Sequence, residues 1–437
     1  MKITFGTDGI RGPVESTITP DLCLRIGQAA GQVLKAEGWD TVLIGKDTRV
    51  SGYMLESALE AGFIAAGVNV RLLGPLPTPG VAYLTKSSRG QFGLVISASH
   101  NTYKDNGIKI FDANGVKISK DLQNKIEKAL NTNSVKIMSA DKLGKAKRFD
   151  ESGDRYVEFC KSTVPHNISF KGLRVVLDCA NGAAYKVTPA IFEELGAEII
   201  PLGTNPNGYN INEGCGSTNP NSAREAVLEH RADFGVTLDG DADRVKLIDS
   251  SGNILDGDDI LYILANGNTN RIGPWSGIVG TVMSNLGLEM AIKDLGYDFE
   301  RSDVGDKFVN DILTKKGWYL GGEHSGHIIC RDLVSTGDGT VAALKTISTL
   351  ILLEKNAQEV LQGFNKVPQV ELSIEVPNKD VINEENIQTK IKEIKSDLTI
   401  GRILVRPSGT ESKIRIMVEA ESKSTADKCA HDLASLF

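Results

Sequence analysis

Nowhere does the chain string together the roughly 18 apolar residues that a membrane-spanning helix needs, and Met1-Lys2-Ile3-Thr4 does not open a signal peptide. Basic runs and stripes are missing too, and the net charge is −7, which argues against nucleic acid as a partner and leaves any anion binding to local Arg and Lys groups. The six cysteines are scattered without paired spacing, so reduced, mostly buried thiols are expected rather than a disulfide framework. Histidine is also scarce, at six residues, and no cysteine pair stands near a His at ligand spacing, which argues against a zinc site. A cytoplasmic protein is the expectation.

What the chain does have is four loops that each follow an apolar strand. The first is Ser97-Ala98-Ser99-His100-Asn101 after Gly93-Leu94-Val95-Ile96, which sets a small hydroxyl nucleophile beside an imidazole where open α/β sheets bind ligands. Ser and Asn are also ordinary turn and cap residues, so this loop acquires meaning from its company. The second is Asp239-Gly240-Asp241-Ala242-Asp243-Arg244 after Phe234-Gly235-Val236-Thr237-Leu238. Three carboxylates at alternate positions repel unless a cation compensates, and their hard oxygens suit Mg²⁺ or Ca²⁺. A Ca²⁺ helix-loop-helix is excluded because Arg244 and Ser250 occupy the places of its glycine and bidentate Glu. An aspartyl phosphatase with Asp239 as nucleophile stays open at this point.

The third loop, Gly321-Gly322-Glu323-His324-Ser325-Gly326-His327, gathers acceptors, imidazoles and a hydroxyl on glycine hinges, a set suited to a polyol. The fourth, Arg406-Pro407-Ser408-Gly409-Thr410, is delivered by Arg402-Ile403-Leu404-Val405 and followed by Arg415 on the next strand. Guanidinium forks, hydroxyls and a glycine that admits backbone N–H groups make a phosphate cradle.

These four loops, in this order and across nearly the whole chain, resemble the α-D-phosphohexomutase superfamily. The segments Phe5-Gly6-Thr7-Asp8-Gly9-Ile10-Arg11-Gly12, Gly45-Lys46-Asp47-Thr48-Arg49-Val50-Ser51-Gly52, Asp178-Cys179-Ala180-Asn181-Gly182 and Val304-Gly305-Asp306-Lys307 are similar to the bacterial phosphoglucosamine mutase branch. Departures are Thr102, Ala242, His324 and Ser412, where the family usually has proline, glycine, Gln or Asn, and proline. The resemblance implies a phosphoserine at Ser99 and one Mg²⁺ on Asp239, Asp241, Asp243 and the Ser99 phosphate. It implies sugar contacts from Glu323, Ser325 and His327, and substrate phosphate on Arg406, Ser408, Gly409 and Thr410, with Arg415 nearby. Arg11, Arg244 and His100 would balance charge, and Lys109 and His327 would serve as general acid or base. The implied reaction interconverts glucosamine 6-phosphate and glucosamine 1-phosphate through a 1,6-bisphosphate, which also serves as activator. The product would feed UDP-N-acetylglucosamine and cell-wall synthesis. Glucose or mannose phosphates are the alternative substrates, and a non-catalytic phosphosugar sensor is disfavoured by the complete set of loops. Three routes to the first phosphate on Ser99 stay open: a kinase, autophosphorylation or a hexose bisphosphate. Family members are often dimers.

Strands alternate with helical patterns, which predicts α/β units with largely parallel strands. Thr19-Pro20-Asp21 reads as the start of a helix that stops near Gly38, and strands are expected at Thr41–Ile44 and Val68–Leu73, with a helix from Ser51 between them. The pattern restarts at Leu173 and Gly277. At the end, Val370–Ile374 and Lys413–Val418 alternate apolar and polar, as in a sheet with one face under helices near 384–394 and 425–436. The resemblance completes a four-domain plan around a central cleft: three similar α/β domains, 1–163, 164–266 and 267–366, and a smaller C-terminal α+β domain, 367–437.

Overall fold

The computed structural model of the chain describes residues 4–6, 8–89, 92–132, 137–268, 271–396, 398, 400–408 and 412–437. Strands β1 (Ile10–Pro13), β2 (Thr41–Lys46), β3 (Asn69–Pro75), β4 (Phe92–Ile96), β5 (Asp105–Asp112) and β6 (Ala146–Arg148) form a sheet in the order β1-β5-β4-β2-β3-β6. Helices α1 (Pro20–Ala36), α2 (Ser51–Ala65), α3 (Thr78–Ser87), α4 (Lys120–Asn131) and α5 (Ser152–Ser162) accompany it. The second sheet, β11-β10-β9-β7-β8, contains β7 (Arg174–Asp178), β8 (Glu198–Leu202), β9 (Phe234–Leu238), β10 (Val245–Asp249) and β11 (Ile254–Leu255), with α6 (Val187–Glu194) and α7 (Asn221–His230). The third, β13-β12-β14-β15, contains β12 (Gly277–Thr281), β13 (Asp298–Ser302), β14 (Leu320–Gly322) and β15 (Ile328–Cys330). Its helices are α8 (Gly257–Gly267), α9 (Leu286–Asp294), α10 (Asp306–Lys316), α11 (Gly339–Leu353) and α12 (Ala357–Leu361). The last sheet is antiparallel, β16-β18-β17, from β16 (Gln369–Glu375), β17 (Gly401–Pro407) and β18 (Lys413–Ala420), with α13 (Glu385–Ser396) and α14 (Lys423–Ala434).

Local signals act as expected at the first helix. Thr19 accepts from Leu22 N at 3.2 Å, Pro20 sits where no N–H is needed, and Gly38 takes φ +83° just past the end. The three α/β sheets share one strand order, β5-β4-β2-β3, β10-β9-β7-β8 and β15-β14-β12-β13, a repeat that is invisible in the residues themselves. In each, the first three of these strands along the chain run parallel and the fourth returns antiparallel beside the third. The strands are largely parallel as expected, and the fourth turns back for a plain reason: only a short connection joins those last two strands, and a short connection can turn the chain back but cannot cross over a sheet. The connections are the first three loops.

Period-two alternation divides the core. Leu43, Val95, Val175, Leu177 and Ile278 face one continuous apolar cluster that runs through all three α/β units. Their neighbours Val42, Ile44, Leu94 and Ile96 face a second cluster, Val176 a third and Val279 a fourth, each private to its own unit. The shared cluster is what sets the three loop-bearing ends against one another. The C-terminal sheet has its own core around Val376, Ile382, Ile414, Ile416 and Leu433.

Candidate active site

Ser99 stands at the end of β4 with φ +51°, a left-handed conformation that costs a non-glycine residue energy and persists only when its surroundings fix it. Those surroundings are polar and buried. The Ser99 carbonyl accepts from Arg49 Nη2 at 3.1 Å and from Asn212 Nδ2 at 2.9 Å, while its N–H donates to Ser97 Oγ at 2.9 Å. Arg49 is fully buried and also pairs with Asp47. Gly240 passes directly beneath, since a Cβ there would lie 2.6 Å from the Ser99 carbonyl oxygen. The hydroxyl is thereby aimed at the acidic loop, and Ser99 Oγ donates to Asp239 Oδ2 at 2.6 Å.

Asp239, Asp241 and Asp243 are buried, and one oxygen from each comes within 4.8 Å of the others. Lys109 reaches across from β5, with Nζ 2.7 Å from Asp241 Oδ2 and 2.9 Å from Asp243 Oδ2, and Thr78 Oγ1 donates to Asp241 Oδ2 at 2.6 Å. Burial and Asp243 oppose the charge on Asp241, but Lys109 and Thr78 outweigh them and hold it below the usual carboxylate range. Asp243 is held well below it; burial again works against the charge, and Lys109 and His327 prevail. Asp239 has no such ammonium, so burial and its two acidic neighbours push it up. Burial likewise opposes the charge on Lys109, yet Asp241 and Asp243 keep it an ammonium with a raised pKa.

Arg11, on β1 opposite Gly107, pairs with Asp8. Arg244 N donates to Asp239 Oδ1 at 3.2 Å, and its Nη1 lies 3.1 Å from His100 Nδ1, which is itself 3.5 Å from Ser99 Oγ. Burial and then Arg244 lower His100 to about 4, so its ring is neutral at pH 7. His327 is buried, 3.7 Å from Asp243 Oδ1 and 3.6 Å from Asp306 Oδ2, and these acids outweigh its burial and raise its pKa. Glu323 is buried with Oε1 accepting from Gly305 N at 2.9 Å; Ser325 is exposed. His324 turns the other way, its Nδ1 3.6 Å from Asp256 and 3.5 Å from Asp258 at the start of α8.

The structure thus brings Ser99, His100, Lys109, Arg11, Arg244, His327 and the three aspartates into one cluster at the junction of three units. The fourth loop is carried by the C-terminal sheet: Arg406 and Arg415 are cross-strand partners, and Ser408 is buried with its carbonyl accepting from Lys379 Nζ at 2.8 Å. Burial and Arg415 lower the pKa of Arg406, with Asp303 of the third unit acting in the opposite direction. Gly409 and Thr410 lie outside the described residues.

Four family models match the chain in sequence: phosphoglucomutase/phosphomannomutase alpha/beta/alpha domains I, II and III over residues 2–136, 154–252 and 256–367, and the C-terminal domain over 371–436. The chain belongs to the phosphoglucomutase/phosphomannomutase family. Within this family it is 49% identical over 437 residues to the phosphoglucosamine mutase of Cellvibrio japonicus, covering 99% of this chain and 98% of the relative. It is 51% identical over 432 residues to that of a Marinomonas strain, covering 98% and 96%. A family protein of Burkholderia thailandensis shares the fold at TM-score 0.83 and 23% identity, over 100% of this chain and 97% of the other. The Aspergillus fumigatus N-acetylphosphoglucosamine mutase, solved in complex with GlcNAc-6P and magnesium, does so at TM-score 0.73 and 17% identity, over 100% and 95%.

The phosphohexomutase cluster also fits a divalent cation by its own chemistry. Asp241 Oδ1 and Asp243 Oδ1 are buried and lack a hydrogen-bond partner among the described residues, so the site holds hard oxygen ligands in reserve. Sequence reasoning assigned no role to Arg49, Thr78, Asn212, Asp8, Lys117 or Asp306. Three of these, Asp8, Arg49 and Asp306, stand in segments that resemble the family, but only the folded chain shows what they touch.

Proposed function

We propose that the protein is a phosphoglucosamine mutase that interconverts glucosamine 6-phosphate and glucosamine 1-phosphate through a phosphorylated Ser99. The observation that carries this reading is a strained serine held with Oγ 2.6 Å from one carboxylate of a buried acidic triad; the amino sugar is supported by the names of the full-length relatives. Mg²⁺ would sit on Asp239, Asp241, Asp243 and an oxygen of the Ser99 phosphate, and when bound it neutralises charge on the phosphoryl group. Arg406, Ser408, Gly409, Thr410 and Arg415 bind the phosphate that does not react, and Glu323 and Ser325 hold the sugar. The substrate O1 attacks phosphorus as the bond to Ser99 Oγ breaks, with Arg11 and Arg244 aligning the transferring oxygens and neutral His100 keeping Arg244 in place. One proton leaves O1 and one reaches Oγ. The ammonium of Lys109 is suited to give, and His327 is the second group for this exchange. The bisphosphate then turns end for end and returns its 6-phosphoryl group to Ser99.

Three α/β domains, 1–163, 164–266 and 267–366, would present the first three loops, and a C-terminal domain, 367–437, would close the cleft over the sugar. A trace of hexose 1,6-bisphosphate would keep Ser99 charged, and a kinase or autophosphorylation are the other ways to load it. A homodimer in the cytoplasm is the working state, a compartment in keeping with six free cysteines. Phosphorus NMR with Mg²⁺, a trace of bisphosphate and glucosamine, glucose or mannose 6-phosphate tests the proposal. Preferred formation of glucosamine 1-phosphate supports it. Faster turnover of glucose or mannose reassigns the sugar, and free phosphate alone points to the Asp239 phosphatase.

A further inference from the structure

Six side chains close a ring in which acid and base alternate. Lys117 Nζ donates to Asp306 Oδ1 at 2.7 Å, and Asp306 Oδ2 lies 3.6 Å from His327 Nε2. His327 Nδ1 is 3.7 Å from Asp243 Oδ1, and Asp243 Oδ2 accepts from Lys109 Nζ at 2.9 Å. Lys109 Nζ is 3.7 Å from Asp8 Oδ2, and Asp8 Oδ1 accepts from Lys117, which completes the circuit. Asp8, Lys109 and Lys117 come from the first unit, Asp243 from the second, and Asp306 and His327 from the third.

The chain is shaped to put Lys117 there. After β5 it folds back through a turn in which Gly115 takes φ +70°, so that Lys117 pairs antiparallel with Phe111, on the same face as Lys109. The turn is tied to the third unit a second time, because Ser335 Oγ donates to the Gly115 carbonyl at 2.6 Å. The slack in the ring lies at His327: both of its links are longer than hydrogen bonds, and His327 Nε2 and Asp243 Oδ1 are buried without hydrogen-bond partners among the described residues. His327 is therefore placed by the fields of Asp243 and Asp306 from two sides, and Asp306 is placed by Lys117.

We infer that Lys117 is a positioning residue of phosphoryl transfer, bridging Asp8 to Asp306 and thereby holding His327 over the acidic triad. This rests on the mutase reading above. Displacing a reacting group by about an ångström typically costs on the order of 10²-fold in rate. Lys117→Met in the full-length protein is therefore expected to lower kcat about 10–100-fold with KM changed less than about threefold, and Lys117→Arg is expected to recover most of the loss. Should Lys117→Met fold poorly by its melting temperature, Asp306→Asn breaks the same bridge, and the double variant is expected to lose no more than the more impaired single one. Unchanged kcat, a pure KM effect, no recovery by Arg or multiplicative losses would each overturn the inference. Hydrogen exchange over residues 303–309 and 323–328 is expected to quicken in Lys117→Met, and unchanged exchange would also overturn it. Since exchange needs no turnover, a wild-type protein inactive on glucosamine phosphates would defeat the proposed function while still leaving the bridge to be judged.

Discussion

Ser99 Oγ and Asp239 Oδ2 are 2.6 Å apart although 140 residues separate them in the chain. The contact joins a loop of one sheet to a loop of the next, and it is made possible at Gly240, where a side chain would strike the Ser99 carbonyl. The proposed nucleophile and the acidic triad are therefore one structural unit built from two.

That unit predicts the outcome of removing its parts. Ser99→Ala should abolish turnover and remove the single phosphoryl group from the intact mass. Asn212→Ala removes donors to the carbonyls of Ser99 and Asn101, each at 2.9 Å. Each carbonyl keeps its Arg49 donor but loses one hydrogen bond worth about 0.5–1.5 kcal/mol, so kcat should fall by about tenfold while the protein still folds. Single-turnover kinetics from phosphorylated enzyme would read this directly.

Lys109 pairs with two carboxylates that the proposed metal would share. Removing its charge in Lys109→Met should tighten Mn²⁺ or Mg²⁺ binding by about tenfold or more in calorimetry, since a nearby ammonium repels the cation. The metal-free variant should melt earlier, because breaking a buried pair costs about 3–5 kcal/mol, and added metal should restore most of the loss. Turnover should drop even at saturating metal.

His324 supplies a pH dependence. Its hydrogen bond to Asp258 and the charge of Asp256, opposed by burial and Lys366, raise it from 6.5 to about 8. A base whose pKa is higher in the folded state stabilises below its unfolded pKa and ceases to do so as pH rises through the folded value. Wild-type protein should therefore lose stability relative to His324→Gln between about pH 6.5 and 8. The side chain is half exposed, so the difference in melting temperature should be small and should shrink with added salt.

The C-terminal sheet is latched to the third unit through Arg402, whose Nη1 and Nη2 donate to the carbonyls of Val282 and Ser284 at 2.7 and 2.9 Å. Its Nε donates to the buried Glu419 at 2.8 Å, and Glu419 in turn accepts from Leu286 N at 2.8 Å. Arg402→Ala leaves the buried Glu419 with its Leu286 N–H bond but without its cationic partner. Limited proteolysis should then cut the 363–368 connector several-fold faster, and KM should rise more than kcat falls, because the proposed phosphate cradle is carried on this sheet.

Residues close together in the chain determined much of this protein. Thr19-Pro20 capped its helix, the strands at 41, 173, 277 and 413 formed within a few residues of their expected starts, and the acidic triad's fit to a hard cation was readable, because propensity, capping and ligand hardness depend on neighbours in sequence. Tertiary structure alone decided what lay between them. The antiparallel return of β5, β10 and β15, the burial of Arg49, the reach of Asn212 to the Ser99 carbonyl and the turn of His324 toward Asp258 depend on which faces pack together. No local pattern encodes that choice: it follows from three sheets burying one shared apolar core, and this common packing is what carried residues 140 positions apart into hydrogen-bonding distance.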